Sequence, residues 1–280
     1  MTHSQHTTFV LQRLFQFLFC LGLLFLCLLA ALALTLWRAP YLIFWMDRTD
    51  YPEALNQGMR TSCIAYADAY DLPQAPLLDC WDQSLLRQEL IRSVDETFHQ
   101  LGPGRSSPFD DLAESIAQQT GVPRADVIGA CNSACNDLAA LWHKAVQPPF
   151  ANLLNLLMQY RRISPGLVCL FLVLVLGSLA MLYSMSENWR ALAASLLPIA
   201  KCLLLCGLLI PLLAALLWSR WNWVPTENLA LHVFRGWSVG FFVCWVLLTL
   251  AAGLGCLVLG THLHRLGRPA QQRKIHRRTA

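Results

Sequence analysis

The chain has 280 residues, 56% hydrophobic and 14% charged, with a net charge of +4 and a mean hydropathy of +0.45. Globular domains carry about 25% charged residues, so this composition excludes an ordinary water-soluble protein and points to a membrane protein. The charge is unevenly placed: residues 39–162 hold 15 of the 17 acids and 9 of the 21 Lys and Arg, a balance of −6, while residues 263–280 hold six Lys and Arg and no acid. Two compartments are implied, one at each end of a set of membrane spans.

Residues 1–13 precede an uncharged apolar run of 24 residues, 14–37, bracketed by Arg13 and Arg38. About 20 residues of helix cross the hydrocarbon, so the run reads as a first span. A cleaved signal peptide is the competing reading, because Ala31, Leu32 and Ala33 fit a small-x-small cleavage site. The run exceeds a typical h-region of about 7–15 residues, which favours a retained span. Pro40 follows, with Tyr41, Phe44 and Trp45 suited to an interfacial aromatic belt.

Residues 38–162 read as a helical domain. Asp50 and Glu53 have capping-box spacing. Leu55, Met59, Cys63, Tyr66 and Tyr70 then recur at helical spacing. Leu72-Pro73 and Ala75-Pro76 break that helix, and a second is predicted from about Asp79 to Gln100, with Leu86, Leu90, Val94 and Phe98 four apart. Gly102, Pro103 and Gly104 are expected to stop it. Ser107 followed by Pro108 predicts a cap and a short helix with Leu112 and Ile116 inward, closed by Gly121. A fourth helix starts near Pro123 and carries Val127, Cys131, Cys135, Leu138 and Trp142 until Pro148-Pro149. No sustained two-residue alternation marks a strand, and about 120 residues suffice to bury a core.

Three further spans are predicted at 163–185, 191–218 and 236–261. Gly236 and Gly240 form a GxxxG pattern, and Gly253 and Gly255 lie in the same span; such glycines permit close helix approach. The fold class expected is therefore all-α: an integral membrane protein with four transmembrane helices and a helical extracytoplasmic domain. Residues 262–280 form a basic tail in which Arg265, Arg268, Arg273, Lys274, Arg277 and Arg278 sit close to the last span. By the positive-inside rule the tail, and with four spans the N-terminus, are cytoplasmic. Arg161, Arg162, Arg220 and Arg235 argue the other way, but long segments translocate largely regardless of charge. The tail's first role is topogenic; contact with anionic lipid, about 1 kcal/mol for each near-surface charge, is the second.

Seven of the 11 cysteines lie in spans, where they serve as small apolar fillers. The other four, Cys63, Cys80, Cys131 and Cys135, lie in the polar domain. An even number outside the cytoplasm suggests two disulfides, and Cys131 and Cys135 share a helix face, so Cys63 and Cys80 are each expected to pair with one of them. A zinc site would need a reducing compartment, and the spacing matches no common finger.

Lys201 is the one charge deep inside a span. Such a residue is a functional hypothesis by default, set against simple snorkelling toward the interface. Asp95 and His99 lie one helical turn apart, which allows an acid–base or metal pair, yet no third ligand stands at a recognisable spacing. HExxH, GxSxG and phosphate-loop patterns are absent. No catalytic, metal or cofactor residue is therefore expected, and no nucleic acid partner.

The layout of one span, a polar domain and three closing spans is similar to that of many bacterial four-span membrane proteins, a likeness of architecture without a motif. Claudin-like four-span proteins share a large first loop, but their tryptophan–Gly-Leu-Trp–cysteine pattern is absent here and their loop is stranded. The expected function is non-enzymatic: binding, sensing or scaffolding in the cell envelope through the polar domain, with another membrane or envelope protein as partner. The alternatives are a small transport or channel accessory subunit using Lys201, and an outer-face enzyme using His99.

Overall fold

In the computed structural model, residues 3–70, 72–101, 107–109, 116, 124–186, 188–221 and 229–266 are described; they are helical with short connections and contain no strand. The helices are α1 (His3–Leu34), α2 (Ala39–Arg48), α3 (Tyr51–Ala69), α4 (Gln74–Asp79), α5 (Gln83–His99), α6 (Arg124–Ala145), α7 (Ala151–Ser184), α8 (Trp189–Trp221) and α9 (Leu229–Leu266). Four of them, α1, α7, α8 and α9, are long and apolar enough to cross a membrane. Between 17% and 28% of each apolar window is buried within the protein. Val173 (70% exposed), Leu247 (62%) and Val258 (62%) point outward, which only a hydrocarbon surrounding makes favourable.

Contacts divide the chain into two units. The first comprises Met1–Leu36, Tyr160–Pro225 and Ser238–Ala280. Its helices share a core of Phe19 and Cys20 from α1, Val175 and Leu182 from α7, and Leu192, Leu196, Ile199 and Leu203 from α8, closed by Ala252, Cys256 and Leu263 of α9. A Cβ on Gly22 would stand 2.7 Å from Val175, and one on Gly253 would stand 3.0 Å from Leu204. Gly207 faces Thr249 as closely. Small residues thus set the α1–α7 and α8–α9 approaches. Gly255, by contrast, faces open space.

The second unit comprises Trp37–Gln159 and Thr226–Trp237. Pro40 to Trp45, expected as a belt, lie in helix α2, in which Ala39, Leu42 and Met46 are buried on one face. Asp50 does not act as the expected capping-box residue. Its backbone is left-handed (φ 52°) and its side chain makes no cap hydrogen bond. Pro52, at the second helical position, also removes one of the two N–H groups that a cap side chain can serve. Pro73 ends the break after α3, but Pro76 sits within α4, in a first turn that needs no donor from it. The α5 cap is Asp82, whose carboxylate accepts the Leu85 N–H at 2.7 Å. Helix α5 stops at Gln100, left-handed at φ 57°, with Leu101 N–H donating to the Glu96 carbonyl at 2.9 Å. That is a Schellman-type end formed before Gly102 is reached. Leu112 and Gly121 lie outside the described residues; Ile116 is buried.

Candidate functional site

The second unit is organised by α3, α4, α5 and α6 closing on aromatic rings. Met59, Cys63 and Ala67 of α3, Leu77 of α4, Leu86 of α5, and Leu138 and Trp142 of α6 are all buried, with Trp81, Phe109 and Ile116 between them. The Trp142 ring centroid lies 6.0 Å from that of Trp81 and 6.3 Å from that of Phe109. Among the described residues its indole N–H meets no hydrogen-bond acceptor. These positions share one face of each helix, as the spacing of their apolar residues requires.

The anticipated cross-link is not formed at Cys63, which is a thiol. Cys63 is fully enclosed by the apolar core, where it fills space as a small hydrophobe. Burial pushes its thiol above the ordinary range, with Trp81 pulling weakly the other way, so it stays protonated and inert. Cys80 is half-buried and donates to the Pro76 carbonyl at 2.9 Å, at the end of α4. The side chains of Cys131 and Cys135 lie outside the described residues.

The outer surface of this unit is where ionisable and aromatic groups gather. Tyr66 and Tyr70 of α3 stack at 6.1 Å with planes 6° apart. The Tyr70 hydroxyl donates to the Asp137 carboxylate of α6 at 2.9 Å, and that bond raises the Tyr70 pKa. Gln74 donates to Asp68 at 3.0 Å just beyond the end of α3. The two stacked rings, with the Asp137 carboxylate beside them, make a face suited to a basic or amphipathic protein segment, since aromatic faces and acids both attract cationic side chains. On another part of the surface Arg87 forms a two-point ion pair with Asp47, at 3.1 and 2.9 Å, joining α5 to α2.

His99 is exposed, and its Nδ1 contacts the Asp95 backbone carbonyl at 2.8 Å rather than the Asp95 carboxylate. It closes the last turn of α5, as a helix C-terminus favours. Among the described residues no three His, Cys, Asp or Glu side chains stand where they could hold a metal ion.

In the first unit Lys201 is exposed on α8 and, among the described residues, forms no ion pair. Arg265 is exposed at the end of α9, whereas Arg268, Arg273, Lys274, Arg277 and Arg278 lie outside the described residues. The fold brings span cysteines together in a way that linear reading does not show: the Cys202 and Cys206 sulfurs are 4.0 Å apart and Cys20 faces Cys202 from α1. Gly236 abuts the ring of Trp45, so the first glycine of the GxxxG pattern receives an α2 side chain of the same chain.

No protein-family model, no curated protein and no solved structure is significantly similar to this chain.

Proposed function

We propose that this is a multi-pass cell-membrane protein without enzymatic activity. Its helical domain of residues 38–162 lies outside the cytoplasm and binds or senses a protein of the envelope, while four apolar helices anchor it. Both termini lie in the cytoplasm, and the basic tail from Arg265 to Arg278 contacts anionic lipid. The observation that carries this reading is the contrast between the domain's closed aromatic core and its surface, where Tyr66 and Tyr70 stack and Tyr70 bonds Asp137. A core supplies a rigid scaffold; partly exposed aromatic and acidic groups on it supply recognition without a reaction centre.

Impermeant maleimide labelling of single cysteines tests the sidedness. Gln57→Cys, at an exposed α3 position, labels in intact cells, whereas Arg265→Cys labels only after permeabilisation. The reverse pattern overturns the topology. A photo-crosslinking residue at Tyr70 tests the recognition face: a discrete adduct that Asp137→Arg abolishes supports it, and an unchanged adduct opposes it.

A second reading, an accessory subunit of a transporter or channel, is favoured by Lys201 alone. It carries a charge on the exposed surface of α8, where a carboxylate of another membrane subunit could meet it. Lys201→Leu separates the two readings: the first expects unchanged behaviour, the second a lost transport activity.

A further inference from the structure

We infer that the first unit holds a binding site for one anionic phospholipid, with its phosphate on Arg13. The site is a cavity of about 380 Å³ between α1 and α8, lined by Phe9, Gln12, Arg13, Gln16, Ala194, Ser195 and Pro198. Arg13 is the sole Lys or Arg before Arg38 and stands where the apolar part of α1 begins. Its guanidinium lies 5.1 Å over the Phe9 ring, and Nη1 donates to Gln16 Oε1 at 3.3 Å. Among the described residues no carboxylate pairs with it. A guanidinium has five N–H donors in a planar fork matched to phosphate oxygens. One is used, so the fork remains open to an anion.

The wall opposite Arg13 is fixed. Gln12 donates to Ser195 Oγ at 2.7 Å, and Ser195 Oγ donates to the Ala191 carbonyl at 3.0 Å. Ser195 is itself buried (1% exposed). This ties α1 to α8 at the height of the cavity. Pro198 has no N–H, so the Ala194 carbonyl lacks its usual donor four residues on, and both residues line the cavity. The site thus offers a cationic fork and an acceptor short of a donor. A headgroup with a phosphate and hydroxyl donors, of the phosphatidylglycerol type, satisfies both.

The surroundings favour a lipid over a soluble anion. Phe9 and Leu14 next to the cavity are 53% and 50% exposed, an apolar margin for acyl chains. The same end of the unit is basic. Gly260 of α9 approaches Ala193 of α8, and α9 ends in His264 and Arg265. Anionic lipid concentrates on the cytoplasmic leaflet, where the positive-inside rule puts this end. The inference rests on the four apolar helices crossing a membrane, which carbonate extraction checks separately.

The test is native mass spectrometry of the detergent-purified full chain, titrated with phosphatidylglycerol or with zwitterionic phosphatidylcholine. Wild type is expected to retain one phosphatidylglycerol in preference to phosphatidylcholine. Arg13→Gln should weaken that retention about tenfold and Arg13→Lys less, since a lysine keeps the charge but not the planar fork. Lys144→Gln, at an exposed position of α6, should leave the retained lipid in place. Equal retention by wild type and Arg13→Gln, with matching gel-filtration and thermal-unfolding profiles, overturns the site. So does no preference over phosphatidylcholine, or displacement by millimolar inorganic phosphate, which would mark a small-anion site. Should Arg13→Gln misfold, Pro198→Ala replaces it: restoring the Ala194 partner should lower retention of phosphatidylglycerol relative to phosphatidic acid, and an unchanged ratio counts against the headgroup assignment.

Discussion

The six-membered ring of Trp45 occupies the space in which a side chain on Gly236 would stand. Trp45 belongs to α2 and Gly236 to α9, so two segments far apart in sequence meet through the absence of a Cβ. Phe150, left-handed at φ 51°, stacks on the neighbouring Trp237 at 5.2 Å and meets Phe234 edge-on at 5.5 Å. Aromatic rings from α2, α9 and the turn before α7 thus gather around one glycine. A non-glycine residue in that backbone region costs of order 1–3 kcal/mol, which ring stacking offsets.

Gly236→Ala should therefore destabilise the protein by about 1–3 kcal/mol, the range for forcing a methyl into a packed site. The measurement is thermal unfolding in detergent. Trp45→Ala should cost stability alone but make Gly236→Ala nearly neutral, so a double-mutant cycle should show strong coupling. Additive effects would mean that the two residues do not compete for the same space.

Trp142 is fully buried among Trp81 and Phe109 while its indole N–H bonds none of the described residues. Shape rather than hydrogen bonding is what it contributes. Trp142→Ala should cost about 3–5 kcal/mol. Trp142→Phe should cost much less, because it removes no hydrogen bond and keeps most of the ring. Near-UV circular dichroism and limited proteolysis of the full chain would read the difference; equal damage from both variants would point to a polar role for the indole.

Cys63 gives a prediction that separates a thiol from a cross-link. With its thiol enclosed in the core, the melting temperature should not change on adding reductant. Cys63→Ser should cost about 1–3 kcal/mol by burying a hydroxyl without a partner, while Cys63→Ala should cost less. A fall in melting temperature with reductant alone would show that a bridge exists.

What was legible in the sequence was whatever depends on length and periodicity. The four apolar runs were visible because crossing hydrocarbon demands about 20 apolar residues in a row. The buried faces of α3, α5 and α6 were visible because Met59, Cys63, Leu86, Leu90, Val94, Leu138 and Trp142 keep helical spacing. Capping was misread because the Asp50–Glu53 pattern carries the signature, while Asp82, with Leu85 three residues on, does not. The sequence motif records side-chain types, and the bond depends on backbone angles. The Arg13 cavity was invisible because Gln12 and Ser195 are 183 residues apart. The Cys63 cross-link was over-read because an even cysteine count speaks to compartment, whereas pairing depends on geometry, and Cys63 points into an apolar core.

The remaining prediction concerns acid. The Leu85 N–H, then the Ser84 hydroxyl, hold the Asp82 carboxyl below its ordinary value of about 3.8. A group whose folded pKa is depressed adds stability above its unfolded value and loses it as pH falls through the folded one. The contribution of the α5 cap should thus be constant from neutral pH down to about pH 4 and fade below that. Asp82→Ala should lower the melting temperature at pH 7, and the gap from wild type should shrink as the pH drops below 3.8. Asp82→Asn, which can still cap, should recover most of the loss at pH 7 and show a flatter acid dependence. Thermal unfolding followed by the helical circular dichroism signal between pH 7 and acid would read all three proteins. A gap between wild type and Asp82→Ala that persists undiminished in acid would show that the ionised carboxylate is not what holds the start of α5.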